Sequence, residues 1–183
     1  MWRELFVTVI QLIVASPMAW KEIEREKRSH SDFLSRYLYP IFGLIALSAF
    51  IGGLWFTREG NLEVALKNSI ISVVTLFGSY YIVSYILNEV AERFELKKNL
   101  TLFQLFTGYA SVVMYLLFCL SSFISDFFIL WLLALYTIHL VHMGSIHFLK
   151  VPAHKRGIFI ISATALVILV PACIHLLFSF FIQ

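Results

Sequence analysis

Charged residues are scarce in this chain. Lys, Arg, Asp and Glu make up 14% of its 183 residues, whereas hydrophobic residues make up 60%. A soluble domain typically carries about 25% charged residues. The composition therefore excludes a soluble enzyme domain and indicates a single membrane domain with short connectors. The net charge of +3 does not indicate nucleic acid, and we expect no nucleic-acid partner.

The sequence also lacks the features of a catalytic or cofactor site. Its two cysteines, Cys119 and Cys173, both fall inside apolar stretches. We interpret them as small hydrophobic side chains and not as a disulfide or a metal site. No phosphate-binding glycine loop, HExxH motif or GxSxG motif occurs. We therefore predict no catalytic residue, no cofactor and no enzymatic activity.

What the chain does have is five long apolar stretches. Each is about 20 residues or longer, which is enough to cross a hydrocarbon core of about 30 Å as a helix. We predict an all-α integral membrane protein with five transmembrane helices in residues 37–183, preceded by a juxtamembrane region in residues 1–36. The predicted helices are Tyr37–Phe56, Leu66–Leu87, Leu100–Leu120, Phe127–Leu149 and Ile158–Phe181.

Lys and Arg are distributed unevenly between the two sides of this predicted domain. Six precede residue 37, three lie in the second connector and three in the fourth, whereas only Arg58 and Lys67 fall on the opposite side. Basic residues accumulate in cytoplasmic loops. We therefore predict a multi-pass protein of the cell inner membrane with a cytoplasmic N-terminus. Because the number of helices is odd, the C-terminus is expected outside.

The N-terminal region contains an apolar run, residues 5–15, that is too short to span the bilayer. Its apolar residues recur at helical spacing, which predicts an amphipathic helix lying in the cytoplasmic interface. Pro17 is expected to end this helix, because proline lacks the backbone N–H. We predict that this region forms an interaction surface for the lipid bilayer or a membrane-protein partner, made of Trp2, Leu5, Phe6, Pro17 and Trp20.

Polar side chains inside the predicted helices form narrow stripes. In the second and third helices they recur at i, i+4, i+7 and i+11. Histidine within a membrane helix is a functional candidate, and the fourth helix carries two that are three residues apart. Comparison of depths predicts one intramembrane polar cluster, made of Ser79, Gly108, Tyr109, His139 and His142. Helix packing with interhelical hydrogen bonds explains the stripes, and a water-filled path is the alternative.

A second group of polar residues is expected at the cytoplasmic face. Glu89 and Glu92 are three residues apart at the end of the second helix, and His147 and His154 flank the fourth connector. Carboxylates and imidazoles in this arrangement are candidate ligands for zinc or another divalent ion. The alternative is that the carboxylates pair with nearby lysines.

The order of these elements resembles the YIP family (Ypt/Rab-interacting proteins) in its compact bacterial form. The resemblance covers nearly the whole chain and implies a five-helix membrane protein that often works in complexes. It rests on a cytoplasmic entry Ser16-Pro17-x-x-Trp20-x-x-Ile23, on Gly108-Tyr109 in the third helix, and on Tyr136, Gly144 and Lys150-x-Pro152-x-x-Lys155-Arg156-Gly157 around the end of the fourth.

The sequence departs from the eukaryotic members of that family. Their cytoplasmic Asp-Leu-Tyr-Gly-Pro string and their long N-terminal region are absent, and Val113 stands where their Gly-Tyr-x-x-x-Pro motif has proline. The resemblance therefore does not carry the eukaryotic partners, prenylated Rab GTPases, over to this chain.

Two functions are consistent with these observations. The first is a non-enzymatic membrane protein that acts through protein or lipid contacts in membrane organisation or scaffolding. The second is a small transporter or channel for an ion or divalent metal, working as a homo-oligomer because five helices enclose little space.

Overall fold

The computed structural model describes residues 2–57, 60–123 and 132–181, and every regular element in these ranges is a helix. Short π-helical and 3-10 turns occupy Leu34–Leu38 and Ala91–Phe94. The α-helices are α1 (Trp2–Val14), α2 (Ser16–Glu26), α3 (His30–Phe33), α4 (Tyr39–Trp55), α5 (Leu62–Glu89), α6 (Leu100–Ala110), α7 (Val112–Ser121), α8 (Tyr136–His147) and α9 (Ala153–Phe181).

Three helices begin at polar capping residues. The Ser29 hydroxyl, the Asn61 side-chain carbonyl and the Asn99 side-chain carbonyl each accept a hydrogen bond from the backbone N–H three residues later. Such caps satisfy donors that a helix start leaves free and contribute about 0.5–2 kcal/mol each. The starts of α3, α5 and α6 are therefore fixed locally.

The prediction of an all-helical membrane protein is confirmed, but the number of five spans is not. The continuous helix His30–Trp55, α5 and α9 are each long and apolar enough to cross a membrane. A fourth span results if α6 and α7, which are bent by 46° relative to each other, are counted together. The fifth candidate, Leu132–His147, is a shorter apolar helix, and the predicted start of this span at Phe127 lies outside the described residues.

Two helix boundaries differ from the predicted ones for local reasons. The first long helix starts at His30 and crosses the expected boundary between residues 36 and 37, because a π-helical turn joins α3 to α4. Pro40 follows this turn directly, and its missing N–H interrupts the regular ladder of hydrogen bonds. The predicted third helix is broken at Ser111, a feature that uniform apolar composition does not reveal.

The helices α1 and α2 form a hairpin that packs along α8. The Tyr136 hydroxyl donates to the backbone carbonyl of Ile13, Trp20 lies against Phe148, and Lys150 donates to Glu24. Successive residues of the hairpin thus meet successive residues of α8 and its following loop, so α2 runs parallel to α8. At 1.5 Å per residue, α8 rises about 17 Å between Tyr136 and His147, and the hairpin reaches along this whole length.

This arrangement bears on the predicted interfacial position of the N-terminal helix. Leu5 and Leu12 of α1 are buried, whereas Trp2, Phe6 and Ile10 are exposed. The helix is therefore amphipathic, but its end reaches the level of Tyr136, deep along α8, and a position flat in the interface is not confirmed. Helical spacing in the sequence identifies the apolar face of α1 without indicating what covers it.

The bundle has two chemically different ends. One end, called here the charged end, carries the ion pairs of Lys150 with Glu24 and of Lys98 with Glu89 and the contact between His154 and Glu95. The other, called here the far end, contains the C-terminal ends of α4, α7 and α9 and the start of α5.

Candidate functional site

Tyr109 lies at the centre of a buried group of rings, called here the aromatic core (Trp20, Phe33, Tyr37, Phe106, Tyr109 and Phe148). Its ring centroid is 4.6 Å from that of Tyr37 and 5.0 Å from that of Phe33. Paired aromatic rings contribute about 0.5–1.5 kcal/mol beyond their burial. The structure therefore gives Tyr109 a packing role, joining α6 to the first long helix.

Two glycines allow the rings to approach the backbone. A Cβ added at Gly108 would overlap the Phe33 ring, and one added at Gly144 would lie 2.8 Å from both Phe106 and Trp20. Real Cβ atoms do not approach other atoms so closely, so only glycine fits without movement of these rings. This geometry gives Gly108 a role in helix packing, the explanation that the sequence favoured for the faces of these helices.

The residues predicted as an interaction surface separate into two sets. Trp20 is fully buried, stacked on Phe106 and packed on Phe148, and Leu5 is also buried. Trp2 and Phe6 are exposed, and Pro17 is half-buried in the first turn of α2. Trp20 thus anchors the hairpin to the bundle instead of facing outward.

The exposed side of the hairpin extends beyond the residues that the sequence analysis identified. It continues at helical spacing to the tip of the hairpin and one turn past it. This exposed strip consists of Trp2, Phe6, Ile10, Val14 and Met18. The i, i+4 spacing from Trp2 is a sequence signal that would have found it.

The remaining members of the predicted intramembrane cluster lie apart from Tyr109. His139 and His142 are half-buried, and the ring of His139 lies near that of Tyr136. Ser79 lines a small void of about 10 Å³ with Ser111, about the space for one water molecule. Within the described residues, no hydrogen bond joins either histidine to Ser79 or Tyr109.

The hydrogen bonds that do join the long helices come from other residues. The Ser69 hydroxyl on α5 donates to the backbone carbonyl of Ala46 on α4, and the Ser48 hydroxyl lies 3.0 Å from the Cys119 sulfur on α7. Cys119 therefore takes part in a polar contact as well as filling space. None of these residues belongs to the polar stripes that were predicted from the sequence.

The four candidate metal ligands are not gathered into one site. Glu89 accepts a hydrogen bond from Lys98 at 2.8 Å, and His154 lies 2.9 Å from Glu95. Glu92 is exposed and His147 half-buried. Across residues 2–57, 60–123 and 132–181, no three His, Cys, Asp or Glu side chains are placed to hold a metal ion. Lysine pairing, the alternative for these carboxylates, occurs at Glu89, and this hydrogen bond raises the pKa of Lys98.

The ion pair between Glu24 and Lys150 fixes the register of the hairpin at the charged end. The hydrogen bond from Lys150, together with its positive charge, lowers the pKa of the Glu24 carboxyl below its usual value. The carboxylate therefore stays ionised as the pH falls below that value. Both side chains are solvent-accessible, so the pair directs the docking of α2 more than it stabilises the fold.

A cavity of about 770 Å³ opens at the far end of the bundle. It lies between α4, α5, α7 and α9, and Asn68 and Ser72 of the second-helix stripe line one wall. The spacing of this stripe predicted that it faces the other helices, but it gave no indication of a cavity there. Cavities of this size are typical of sites for small molecules.

The long apolar helices that surround the buried aromatic core are those of a multi-pass α-helical membrane protein. A family model described as the Yip1 domain matches residues 10–174, nearly the whole chain. The protein belongs to the Yip1 family, and the predicted YIP resemblance is confirmed. No curated protein and no solved structure is significantly similar to the chain. The match begins within α1, so it includes most of the hairpin, and the family is not known as enzymatic.

Proposed function

We propose that the protein acts by binding other membrane components, proteins or lipids, and so organises or scaffolds the membrane around it without catalysis. The observation that carries this proposal is the exposed strip of the α1–α2 hairpin. All five of its residues are large apolar side chains that remain exposed after the rest of the hairpin has docked. Contiguous apolar patches of this kind are typical of interaction sites.

The hairpin is too short to cross the membrane, so we expect a protein helix or an ordered lipid to cover the exposed residues at its tip. Thirteen residues of α1 rise about 20 Å, which is less than the hydrocarbon thickness of about 30 Å. The tip, with Val14 and Met18 exposed, therefore ends inside the apolar layer. A helix of another membrane protein or an ordered lipid covers such a tip better than a disordered bilayer does, because it fills the space beyond the tip.

The charged end is proposed to face the cytoplasm of a bacterial cell. Twelve of the 14 Lys and Arg residues lie on the side that carries this end, and the positive-inside rule then places the N-terminus inside and the C-terminus outside the inner membrane. Exposed Lys21 and Arg25 on α2 would stand beside the phosphate groups of that leaflet, next to the strip.

Site-specific photo-crosslinking in living membranes tests the proposal. A photoreactive residue is placed at Ile10 in the strip and, as a matched control, at Ile161 on the exposed face of α9 (57% and 73% exposed). We expect a discrete protein or lipid adduct at position 10 that is absent at position 161. Identical adduct patterns at both positions would show that the strip meets only bulk lipid and would contradict the proposal.

A transporter or channel for an ion or divalent metal is the second candidate. The observation in its favour is the cavity at the far end, with Asn68 and Ser72 in its wall. Beyond the deep end of this cavity lies the small void beside Ser79 and Tyr115, and Met114 and Phe118 border both. Transport would therefore require a rearrangement of the helices that opens a path past this layer.

A further inference from the structure

We propose that the far-end cavity binds an amphiphile, with one apolar chain inside the cavity and an uncharged, hydrogen-bonding polar group at its mouth. This site is distinct from the exposed strip of the hairpin, because none of the five strip residues is among the described residues that line the cavity. The supporting observations are the position of the cavity, the hydroxyl groups at its mouth, the absence of charged side chains among its described lining residues and the aromatic side chains next to its deep end.

Contacts between helix ends place the cavity at the far end. A Cβ at Gly52 would overlap the backbone of Ser122, so the ends of α4 and α7 adjoin there. A Cβ at Gly53 would lie 3.2 Å from the Asn68 amide, which brings in α5. The rings of Phe118 and His175 are 5.9 Å apart and bring in α9. The cavity thus opens toward the leaflet at this end, where α9 continues to Phe181.

Polarity changes along the depth of the cavity. Residues nearest the helix ends, and hence nearest the mouth, include the hydroxyl-bearing Thr57, Ser121 and Ser179 together with Phe56 and Phe123. One to two turns deeper the wall is mainly apolar, with Ala49, Ile71, Met114, Leu117 and Ala172, and Ser72 adds one hydroxyl group there. A lipid in the adjacent leaflet has the same gradient, with its polar group outside and its chain toward the midplane.

The charge of the lining limits the polar group of the ligand. Among the described lining residues there is no Asp, Glu, Lys or Arg, and His175 is the single titratable side chain. A charged group brought to such a wall would lose hydration without a counter-charge. Hydroxyl and amide groups such as those of Ser179 and Asn68 suit a ligand that exchanges hydrogen bonds, for example a glycerol ester.

At its deep end the cavity adjoins a small void. Met114 and Phe118 border both the cavity and the small void of about 10 Å³ beneath it, and Tyr80 and Tyr115 line that void. A volume of about 770 Å³ lies within the range of roughly 300–1,000 Å³ found for small-molecule sites. The chain of the ligand therefore enters from the far end and stops at this aromatic layer.

Photoaffinity labelling in lipid nanodiscs tests the proposal. The probe is a monoacylglycerol with a diazirine at the end of its palmitoyl chain, in a bilayer of unlabelled phosphatidylcholine. We expect covalent adducts on Met114 or Leu117, which bulk lipid does not reach because both are buried within the bundle. A second arm uses diacylglycerol carrying the same diazirine. Adducts in this arm would identify an uncharged bilayer lipid as the source, and adducts only in the first arm a free single-chain amphiphile.

Matched variants of α9 provide the control. Ala172→Phe fills the cavity and is expected to reduce the adducts at Met114 and Leu117 at least fivefold, whereas Cys173→Phe adds the same ring on an exposed face and should leave them unchanged. Ala49→Leu fills the cavity from α4 and replaces Ala172→Phe if that variant misfolds. Adducts confined to exposed residues such as Leu169 would overturn the proposal. So would equal labelling of Met114 and Leu117 in the parent protein and in the variants that fill the cavity.

Discussion

At the scale of single residues, the side chain of Trp20 is packed closely on several sides. Its fully buried indole contacts Phe106 and Phe148 and lies against the backbone of Gly144. Trp20 also belongs to the hairpin, so this one side chain connects α2 to α6 and α8. Trp20 and Gly144 were identified from the sequence as positions of the family pattern, but Trp20 was expected on the interaction surface of the N-terminal region, whereas it is fully buried.

The close fit at Gly144 leads to the first prediction. Gly144→Ala places a methyl group 2.8 Å from both the Trp20 and the Phe106 ring, and overpacking of this kind costs about 1–3 kcal/mol. We expect a clear drop in the apparent melting temperature of the purified protein. Gly43→Ala is the control, because a Cβ there meets nothing within 4 Å, and it should leave the stability unchanged or raise it by up to about 1 kcal/mol. Equal effects of the two variants would contradict the packing described for Trp20.

At the scale of elements, the hairpin is the part that the sequence described least well. Apolar composition predicted the existence of the three longest helices and the ends of α5 and α9 within about five residues, because a continuous apolar run of that length has few alternatives in a membrane. The first long helix begins well before its predicted start at residue 37. The break at Ser111 and the docking of the hairpin on α8 depend on contacts between distant residues, such as Tyr136 with Ile13. No local pattern contains that information. The cavity was missed for the same reason, since its wall comes from four separate helices.

Two positions on α1 distinguish a docked hairpin from a helix that lies free on the membrane surface. Leu12 is fully buried, whereas Ile10 is exposed on the same helix. Leu12→Ala leaves a cavity and is expected to destabilise the protein by about 2–5 kcal/mol, while Ile10→Ala should change stability little. Thermal unfolding of both variants in the same detergent measures the difference. If both unfold like the parent protein, α1 does not contribute to the core.

At the scale of the whole molecule, this Yip1-family membrane protein has a different chemistry at each end. The charged end holds the ion pairs and the hairpin, and the far end holds the cavity. Composition was sufficient to predict the class of protein, and the resemblance in motifs and order of elements predicted its family. The assignment of functions to the two ends required the structure, because the predicted site residues are distributed over the aromatic core, the hairpin and separate faces of α8.

The central claim is that the hairpin enters the apolar layer instead of lying on it, and a depth measurement at Met18 tests this most directly. Met18 is 73% exposed near the hairpin tip. A nitroxide is attached at Met18→Cys, with Cys119→Ala and Cys173→Ala removing the native thiols and with Ile161→Cys and Lys21→Cys as the apolar and solvated references. Inside the layer, the nitroxide at position 18 responds to oxygen and not to a water-soluble nickel chelate, as at position 161. A response to the chelate equal to that at position 21 would place the hairpin on the surface and contradict the account.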